Sequence, residues 1–428
     1  MIRFKKFSPI LGFVIILLIF SSCKNNQSTI TKDPLDLSGM DTLIRPQDDF
    51  FDYANGDWLK KTTIPASLPA WGGMLSLADK SLEDMRIVLD SVAKDKNITP
   101  GSYAQKAGDL YAAGMDSALV QKLGIMPVQN NLNRINSIKD KAGLWDEVAK
   151  EYSIGLGPFF SFYVSGDDKN SSMNIAHFDQ GGLGLPNRDY YFSRDSAIIQ
   201  IRDAYLQYIT KILELGGDNA ADAQKGSGAV MAVETALAKN SKSPVQLRDP
   251  IANYNKMTVQ QLSKSNPGVN WSGLFKSMQV NEDTILIGQP EFYSGLTSVI
   301  NSTPLNDLKD YLRFHFISHF APYLSNDFVK ARFNFIKLLT GQQEIEPRWK
   351  RMSQMVDNNL GDALGQLYVQ RFFPADSKER MMELVNNLQT AFAERIQHLD
   401  WMSDSTKVKA LQKLHAMVKK IGYPDHWK

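Results

Sequence analysis

The sequence contains a single cysteine among its 428 residues. One thiol excludes an intrachain disulfide framework, a CxxC redox pair and a multi-cysteine zinc knuckle. An excess of either charge is also missing, because 48 Lys and Arg residues stand against 46 Asp and Glu residues. This balance predicts neither a polybasic surface for nucleic acid nor an acidic tail. The remaining composition, 43% hydrophobic and 22% charged, is typical of a globular protein with room for two or more domains.

Common catalytic motifs are missing as well. The sequence has no GxSxG nucleophile elbow, and its lone cysteine near the start of the chain leaves no Cys/His nucleophile pair. The glycine-rich segment Gly181–Gly184 lacks the Lys-Ser/Thr pair with which a phosphate cradle holds nucleotide and Mg²⁺. We therefore assign no catalytic residue in residues 1–428.

The strongest metal-like pattern is a pair of histidines, His315 and His319, which share one face of a helix. A hydrolytic zinc site of the HExxH type needs a Glu directly after the first histidine, and this position holds Phe316. No third ligand lies nearby, and the flanking residues are apolar. We interpret both histidines as packed or partly exposed helix residues, and we assign no metal ligand.

Three further patterns are interpreted as structural. Glu394 and His398 form an i, i+4 pair that is typical of a solvated helix face. His177 is a lone histidine in a predicted strand. The basic cluster Arg348–Arg351 surrounds one tryptophan, which favours a surface or inter-helix contact over a nucleic-acid site.

Residues 1–22 have the features of a secretory signal peptide. A short basic region is followed by Ile10–Phe20, an uncharged apolar run that is too short to cross a bilayer core of about 30 Å. Ser21 and Ser22 then precede Cys23, an arrangement that resembles a bacterial lipobox, with Phe20 where Leu is commoner. We predict that Cys23 is lipidated and becomes the first mature residue. A signal cleaved elsewhere, or an uncleaved anchor, remains the alternative.

A polar segment follows the predicted lipidation site. Residues 23–45 are rich in Asn, Ser, Thr and Asp and show no apolar period, so we predict a tether that holds the folded part away from the membrane. Signal removal takes three of the 48 basic residues and none of the 46 acidic ones. The slight positive charge therefore belongs to the signal.

The remainder, residues 46–428, is predicted to be mainly α-helical. Apolar residues at three- and four-residue steps indicate helices over 74–92 and 381–399. A stop at Thr99–Pro100 and an N-cap at Ser102 predict a further helix whose apolar pattern runs from Ala107 to Met115, and another helix is predicted to begin at Ser405 or Thr406 and to continue to Ile421. One segment has a different period. Alternating apolar residues at 160–164 and 173–177, with turn residues between them, predict a small β-hairpin.

Segments spread over residues 45–428 resemble the neprilysin and endothelin-converting-enzyme family of zinc metallopeptidases. The resemblance begins at Arg45–Lys60. It continues, in the family's order, through Ile64–Pro65, Trp71–Gly72, the helix Met74–Val92, Leu183–Tyr191, Ala321–Ser325, Arg348–Lys350, Gly361–Val369 and Lys420–Pro424. Ordered matches over residues 45–428 are far more specific than any one of them.

The resemblance implies a large helical shell of two lobes around a cavity that admits peptides. In such enzymes the HExxH helix, a further Glu ligand and a transition-state histidine lie in a C-terminal portion, and Lys428 comes where that portion is expected to begin. Zinc is therefore expected in the complete family enzyme and not on this chain alone. Ala70 and Leu75 stand where some family members carry an Arg and an Asp, so we transfer no substrate-binding residue.

Two functional hypotheses follow. The first is the N-terminal, lid- and cavity-forming part of a lipid-anchored zinc metalloendopeptidase that cleaves peptides outside the cytoplasm, with the chain alone inactive. The second is a non-catalytic helical surface lipoprotein that binds peptides or another ligand. Both place the protein in the cell envelope, attached to a bacterial membrane through Cys23.

Overall fold

The computed structural model of the protein describes residues 36–427. The predicted signal peptide 1–22 and the predicted lipidation site Cys23 lie outside the described residues. The chain divides into two compact units, Met1–Ile64 and Pro65–Lys428. Within 36–427 the structure has 17 α-helices and four strands, which confirms the predicted mainly α fold.

The α-helices account for most of the described residues. They are α1 Phe50–Lys61, α2 Gly73–Lys94, α3 Tyr103–Met115, α4 Ser117–Leu123, α5 Gln129–Asn136, α6 Lys141–Ser153, α7 Asp189–Phe192, α8 Ser196–Leu215, α9 Ala220–Asn240, α10 Val259–Ser265, α11 Trp271–Ser277, α12 Pro290–Ser302, α13 Leu305–Phe320, α14 Asn326–Thr340, α15 Arg348–Phe372, α16 Ala375–Gln397 and α17 Asp404–His415. None of the described helices combines the length and the apolar character needed to cross a membrane.

The described part of the first unit is organised around α1. Asp49 caps this helix by accepting a hydrogen bond from the Asp52 N–H at 2.9 Å. Asp41 is almost fully buried, donates its N–H to the Tyr53 carbonyl at 2.9 Å and pairs with Lys60. Hydrogen bonds from Lys60 and from the Leu43 N–H lower the pKa of Asp41. The last residues of the predicted tether therefore contain ordered structure.

The second unit contains a four-stranded sheet. The predicted hairpin is confirmed as β1 Phe160–Asp167 and β2 Asn170–Gln180, which pair antiparallel from Phe160 opposite Gln180. Two short strands extend it, β3 Asn255–Thr258 and β4 Thr284–Ile287, in the order β1-β2-β4-β3. β4 runs parallel to β2 and antiparallel to β3. Neither short strand could be predicted from the sequence, because four residues are too few to establish an alternating period.

A buried carboxylate fixes the turn of the hairpin. Asp167 accepts hydrogen bonds from Lys256 Nζ at 2.7 Å, the Tyr254 hydroxyl at 2.8 Å and the Lys169 N–H at 2.9 Å. These donors stabilise the ionised form and lower the pKa of Asp167, with the Lys256 hydrogen bond as the largest cause. The contact ties the hairpin turn to β3, which precedes α10 in the chain.

The second unit has a large and a small hydrophobic core. The large core surrounds the sheet and joins α5 to α14, with Trp145, Phe159, Phe178, Trp271 and Tyr293 among its aromatic members. The small core joins α2, α3 and α15. Its members are Val88, Leu89, Ala107, Tyr111, Met352, Val356 and Leu364. The predicted stripe of α2 therefore reaches a core only near its C-terminal end.

The last two helices present apolar residues to solvent. On α16, Ile396 is buried, whereas Met381, Leu384, Leu388 and Phe392 are 47% to 62% exposed. The stripe predicted over 381–399 is thus confirmed as a helical face, but nothing among residues 36–427 covers most of it. The prediction for the next helix was wrong at both ends, because Ser403 caps α17 and the helix stops at His415.

Candidate functional site

A fully buried carboxylate lies in the middle of α9. Glu234 Oε1 accepts hydrogen bonds from the Tyr205 hydroxyl at 2.7 Å and from His315 Nε2 at 2.8 Å. Its Oε2 accepts from the Tyr191 hydroxyl at 2.5 Å and from the Gly184 N–H at 3.3 Å. Four donors from three other parts of the chain surround one carboxylate, which satisfies the charge that burial would otherwise penalise.

The glycine-rich loop that precedes α7 is built around this carboxylate. Gly182 has a φ of +78°, which favours glycine, and its carbonyl accepts a hydrogen bond from Tyr311 at 2.8 Å. The Leu185 N–H donates to the Tyr191 hydroxyl at 3.1 Å. The Tyr191 hydroxyl therefore accepts a hydrogen bond from the loop and donates one to Glu234, which ties the loop to α9.

The tyrosines of this network remain protonated. Burial, followed by the charge of Glu234, raises the pKa of Tyr191 and of Tyr205 well above the usual value. Each hydroxyl is therefore a permanent donor at physiological pH. Such a network holds the glycine-rich loop in position.

The two histidines of α13 have different surroundings. His315 directs Nε2 at Glu234 and lies 4.3 Å, between ring centroids, from Tyr311. His319 lies at the surface beside Phe320, and partial burial together with the Arg332 cation lowers its pKa. Among residues 36–427, no group of three His, Cys, Asp or Glu side chains has the arrangement needed to hold a metal ion. This part of the chain does not fit a zinc ion.

The other residues singled out in the sequence make local or inter-helix contacts. His177 is buried in β2 and stacks on Tyr163 at 4.8 Å between ring centroids. His398 Nδ1 lies 2.7 Å from the backbone carbonyl of Glu394, so this contact joins the ring to the helix backbone. In the basic cluster, Arg348 donates to the Gly114 carbonyl at 2.8 Å and Lys350 pairs with Asp79. The predicted inter-helix contact of Arg348–Arg351 is confirmed.

A second buried carboxyl, Glu151 on α6, is expected to make the stability of the protein depend on pH. Burial raises its pKa to about 8, and the nearby Glu147 adds to the shift while Arg134 opposes it. The unfolded chain has a Glu pKa of about 4.3. Because the folded state then binds the extra proton, its stability falls as pH rises between these two values.

Glu151→Gln is expected to remove the pH dependence that comes from the Glu151 carboxyl. The variant should therefore lose less stability than the wild type between about pH 5 and pH 8. Urea unfolding at several pH values measures the difference. The exposed Glu282→Gln is the matched control, and it should follow the wild-type profile. Parallel profiles of Glu151→Gln and the wild type would contradict the buried, protonated carboxyl.

Comparison with known proteins gives the family. The family model described as peptidase family M13 matches residues 46–424. The chain belongs to peptidase family M13. It corresponds to the N-terminal region of the proteins in this neprilysin-type family of zinc metallopeptidases, as the ordered motifs indicated.

Individual relatives agree with this assignment. Endothelin-converting enzyme 1 of Bos taurus is 30% identical over 405 residues, and the match covers 91% of this chain and 53% of the relative. Neprilysin of Mus musculus is 28% identical over 420 residues, and the match covers 91% of this chain and 55% of the relative. The crystal structure of the Mycobacterium tuberculosis zinc metalloprotease Zmp1 with an inhibitor aligns with a TM-score of 0.85 and 34% identity. That alignment covers 92% of this M13 chain and 60% of the solved chain.

The M13 chain spans about half the length of the curated relatives it matches.

The Glu234 network could not be predicted from the sequence, because Glu234 is 43 residues from Tyr191 and 81 residues from His315. No local period joins them. The only sequence signal was the motif Leu183–Tyr191 itself, which carried the resemblance and gave no indication of its partner.

Proposed function

We propose that residues 46–428 are the N-terminal, cavity-forming part of a zinc metalloendopeptidase that is lipid-anchored through Cys23 and cleaves peptides outside the cytoplasm. The zinc ligands and catalytic residues would come from a further portion, so this chain alone is expected to be inactive. Support comes from the M13 family match and from the relatives named as endothelin-converting enzyme and zinc metalloprotease.

The exposed apolar face of α16 carries the proposal. Met381, Leu384, Leu388 and Phe392 lie at three- or four-residue steps on one helix, and each is about half exposed. A stable soluble protein rarely leaves such a stripe in water. The stripe is therefore suited to packing against a further portion of the enzyme, and the solved zinc metalloprotease Zmp1 is longer than this chain.

A peptidase assay tests the proposed division of labour. The purified chain is incubated with a quenched fluorescent peptide, with and without added zinc and with a chelator. We expect no zinc-dependent turnover, because no described set of residues fits the metal. Zinc-dependent cleavage that is lost in His315→Ala and His319→Ala, and kept in the exposed His398→Ala, would overturn the proposal. An in-frame HExxH beyond codon 428 would support it, whereas unrelated sequence favours the binding module.

Charge placed on the exposed stripe is expected to change the association state. The double variant Leu384→Lys with Leu388→Lys should convert a self-associating chain into a monomer, since both side chains are exposed and no described core depends on them. Light scattering after size exclusion measures this. The control is Glu379→Gln with Glu383→Gln on the same helix, which raises the net charge by the same amount outside the stripe. A wild-type chain that is already monodisperse would contradict the expectation.

Lipidation is tested separately. In cells that express the full chain, Cys23→Ser should abolish labelling with a radioactive fatty acid and move the protein out of the membrane fraction. Unchanged labelling would show that the lipid is attached elsewhere or that the signal is processed differently. The result does not bear on the peptidase assay, so the two parts of the proposal fail independently.

A further inference from the structure

A small polar cavity lies between α6, the segment 156–158, α13 and α14. Its volume is about 240 Å³. Its polar lining consists of Glu151, His315, Ser318, His319 and Arg332, and the rest of the wall is mainly apolar. Neither the family match nor the proposed peptidase activity assigns a role to this cavity.

Glu151 is an unsatisfied group in the cavity wall. Its side chain is 1% exposed, and its Oε1 has no hydrogen-bond partner among the described residues. Buried polar atoms are almost always paired, so an unpaired one needs an explanation. The neighbouring Glu147 is not a hydrogen-bond partner of Glu151 Oε1. The Glu147 carboxylate pairs instead with Arg134 at 2.9 Å and Lys150 at 3.6 Å.

The charge in the cavity is set by Arg332. This side chain is partly buried and forms no ion pair or hydrogen bond with any residue in 36–427. The other titratable groups do not compensate it. Glu151 is protonated near neutral pH, and burial together with the Arg332 cation lowers the pKa of His319, which disfavours a second positive charge there. His315 directs its Nε2 away to Glu234, and the Tyr208 hydroxyl is bonded to Ser318 at 2.8 Å.

From this juxtaposition we propose that the cavity binds a small carboxylate anion, with Arg332 as its charge partner and the Glu151 carboxyl and Ser318 hydroxyl as hydrogen-bonding partners. A guanidinium presents two parallel N–H donors that match the two oxygens of a carboxylate. One uncompensated positive charge suits a monoanion. An anion at this site also gives the unpaired Glu151 carboxyl an acceptor for its proton.

Acetate is the probe for the test. The full chain is titrated with sodium acetate, with sodium chloride replacing it at constant ionic strength, and the melting temperature is followed. We expect a saturable rise in the wild type. Arg332→Gln should weaken the apparent affinity by about tenfold or more. Arg194→Gln, at an exposed arginine outside the cavity, is the matched control and should behave as the wild type.

The pH profile distinguishes this site from a general effect of acetate. In the wild type, the affinity should fall above about pH 8, since ionised Glu151 repels the anion. Glu151→Gln keeps a neutral donor, so it should bind acetate at neutral pH and show no such fall. If Arg332→Gln does not fold, the broadening of the ¹³C-acetate resonance by the wild type, measured over the same pH range, decides the question.

Three results would overturn the proposal: a wild-type melting temperature that does not saturate with acetate, equal affinity in Arg332→Gln, or an unchanged pH profile in Glu151→Gln. Inorganic phosphate that binds more tightly than acetate at neutral pH would overturn the monoanion assignment. None of these results depends on peptidase activity, so failure here leaves the proposed function standing.

Discussion

Gly184→Ala is expected to lower the free energy of unfolding by about 3–5 kcal/mol, or to prevent folding, because the site has no room for a methyl group. A Cβ atom on Gly184 would overlap the Tyr205 hydroxyl and would lie 2.5 Å from Tyr205 Cζ and 3.2 Å from Glu234 Oε1. Tyr205 is 1% exposed in the large core and cannot move aside without breaking its bond to Glu234. Urea unfolding followed by circular dichroism measures the loss.

A matched glycine provides the control. Gly228 lies on the exposed face of α9, and a Cβ there would meet no atom within 4 Å. Gly228→Ala should therefore stabilise the protein by up to about 1 kcal/mol, since alanine is the better helix former. If Gly184→Ala unfolds at the same urea concentration as Gly228→Ala, the packing described around the glycine-rich loop is incorrect.

Glu234→Ala is the second substitution with a large expected effect. It would leave the hydroxyls of Tyr191 and Tyr205, the Nε2 of His315 and the Gly184 N–H without their acceptor. An unsatisfied buried donor costs about 1–3 kcal/mol, and the losses within one network are not additive. We expect a total loss of about 3–5 kcal/mol in urea unfolding. Limited proteolysis should show cleavage within residues 181–191 before the rest of the chain is cut.

Two variants separate the charge from the shape of Glu234. Glu234→Gln keeps one acceptor oxygen but turns an amide N–H₂ toward donors, so a smaller loss of about 1–3 kcal/mol is expected. Glu282→Ala, at an exposed position, should change stability by less than about 0.5 kcal/mol. Equal stability of Glu234→Ala and Glu282→Ala would show that the network does not stabilise the fold.

Most local structure could be predicted from the sequence. Ser102 was identified as an N-cap, and its hydroxyl accepts from the Gln105 N–H at 3.2 Å at the start of α3. The hairpin was identified from its period of two and its turn residues. These signals succeed because a cap, a turn and a strand period depend on residues that are close together in the chain.

Prediction from the sequence failed where tertiary contacts, and not the local apolar pattern, decide the secondary structure. The apolar residues up to Ile421 suggested a helix through that position, but α17 stops at His415 and Val418 is 83% exposed. Residues 416–420 are all exposed, so burial of an apolar face does not stabilise a helix there. In the same way, β4 could not be predicted, because it pairs in parallel with β2, a strand that lies more than 100 residues earlier in the chain.

The sequence by itself determined the M13 family, the helical class and the hairpin, because motifs and short-range periods depend on residues that are close together in the chain. The lone cysteine was also located by sequence, and its lipidation remains a prediction. Only the tertiary structure decided that Glu234 gathers Tyr191, Tyr205, His315 and the glycine-rich loop, and that Glu151 and Arg332 line one cavity. A buried charge must find its donors in space, and those donors come from distant helices with no spacing that relates them.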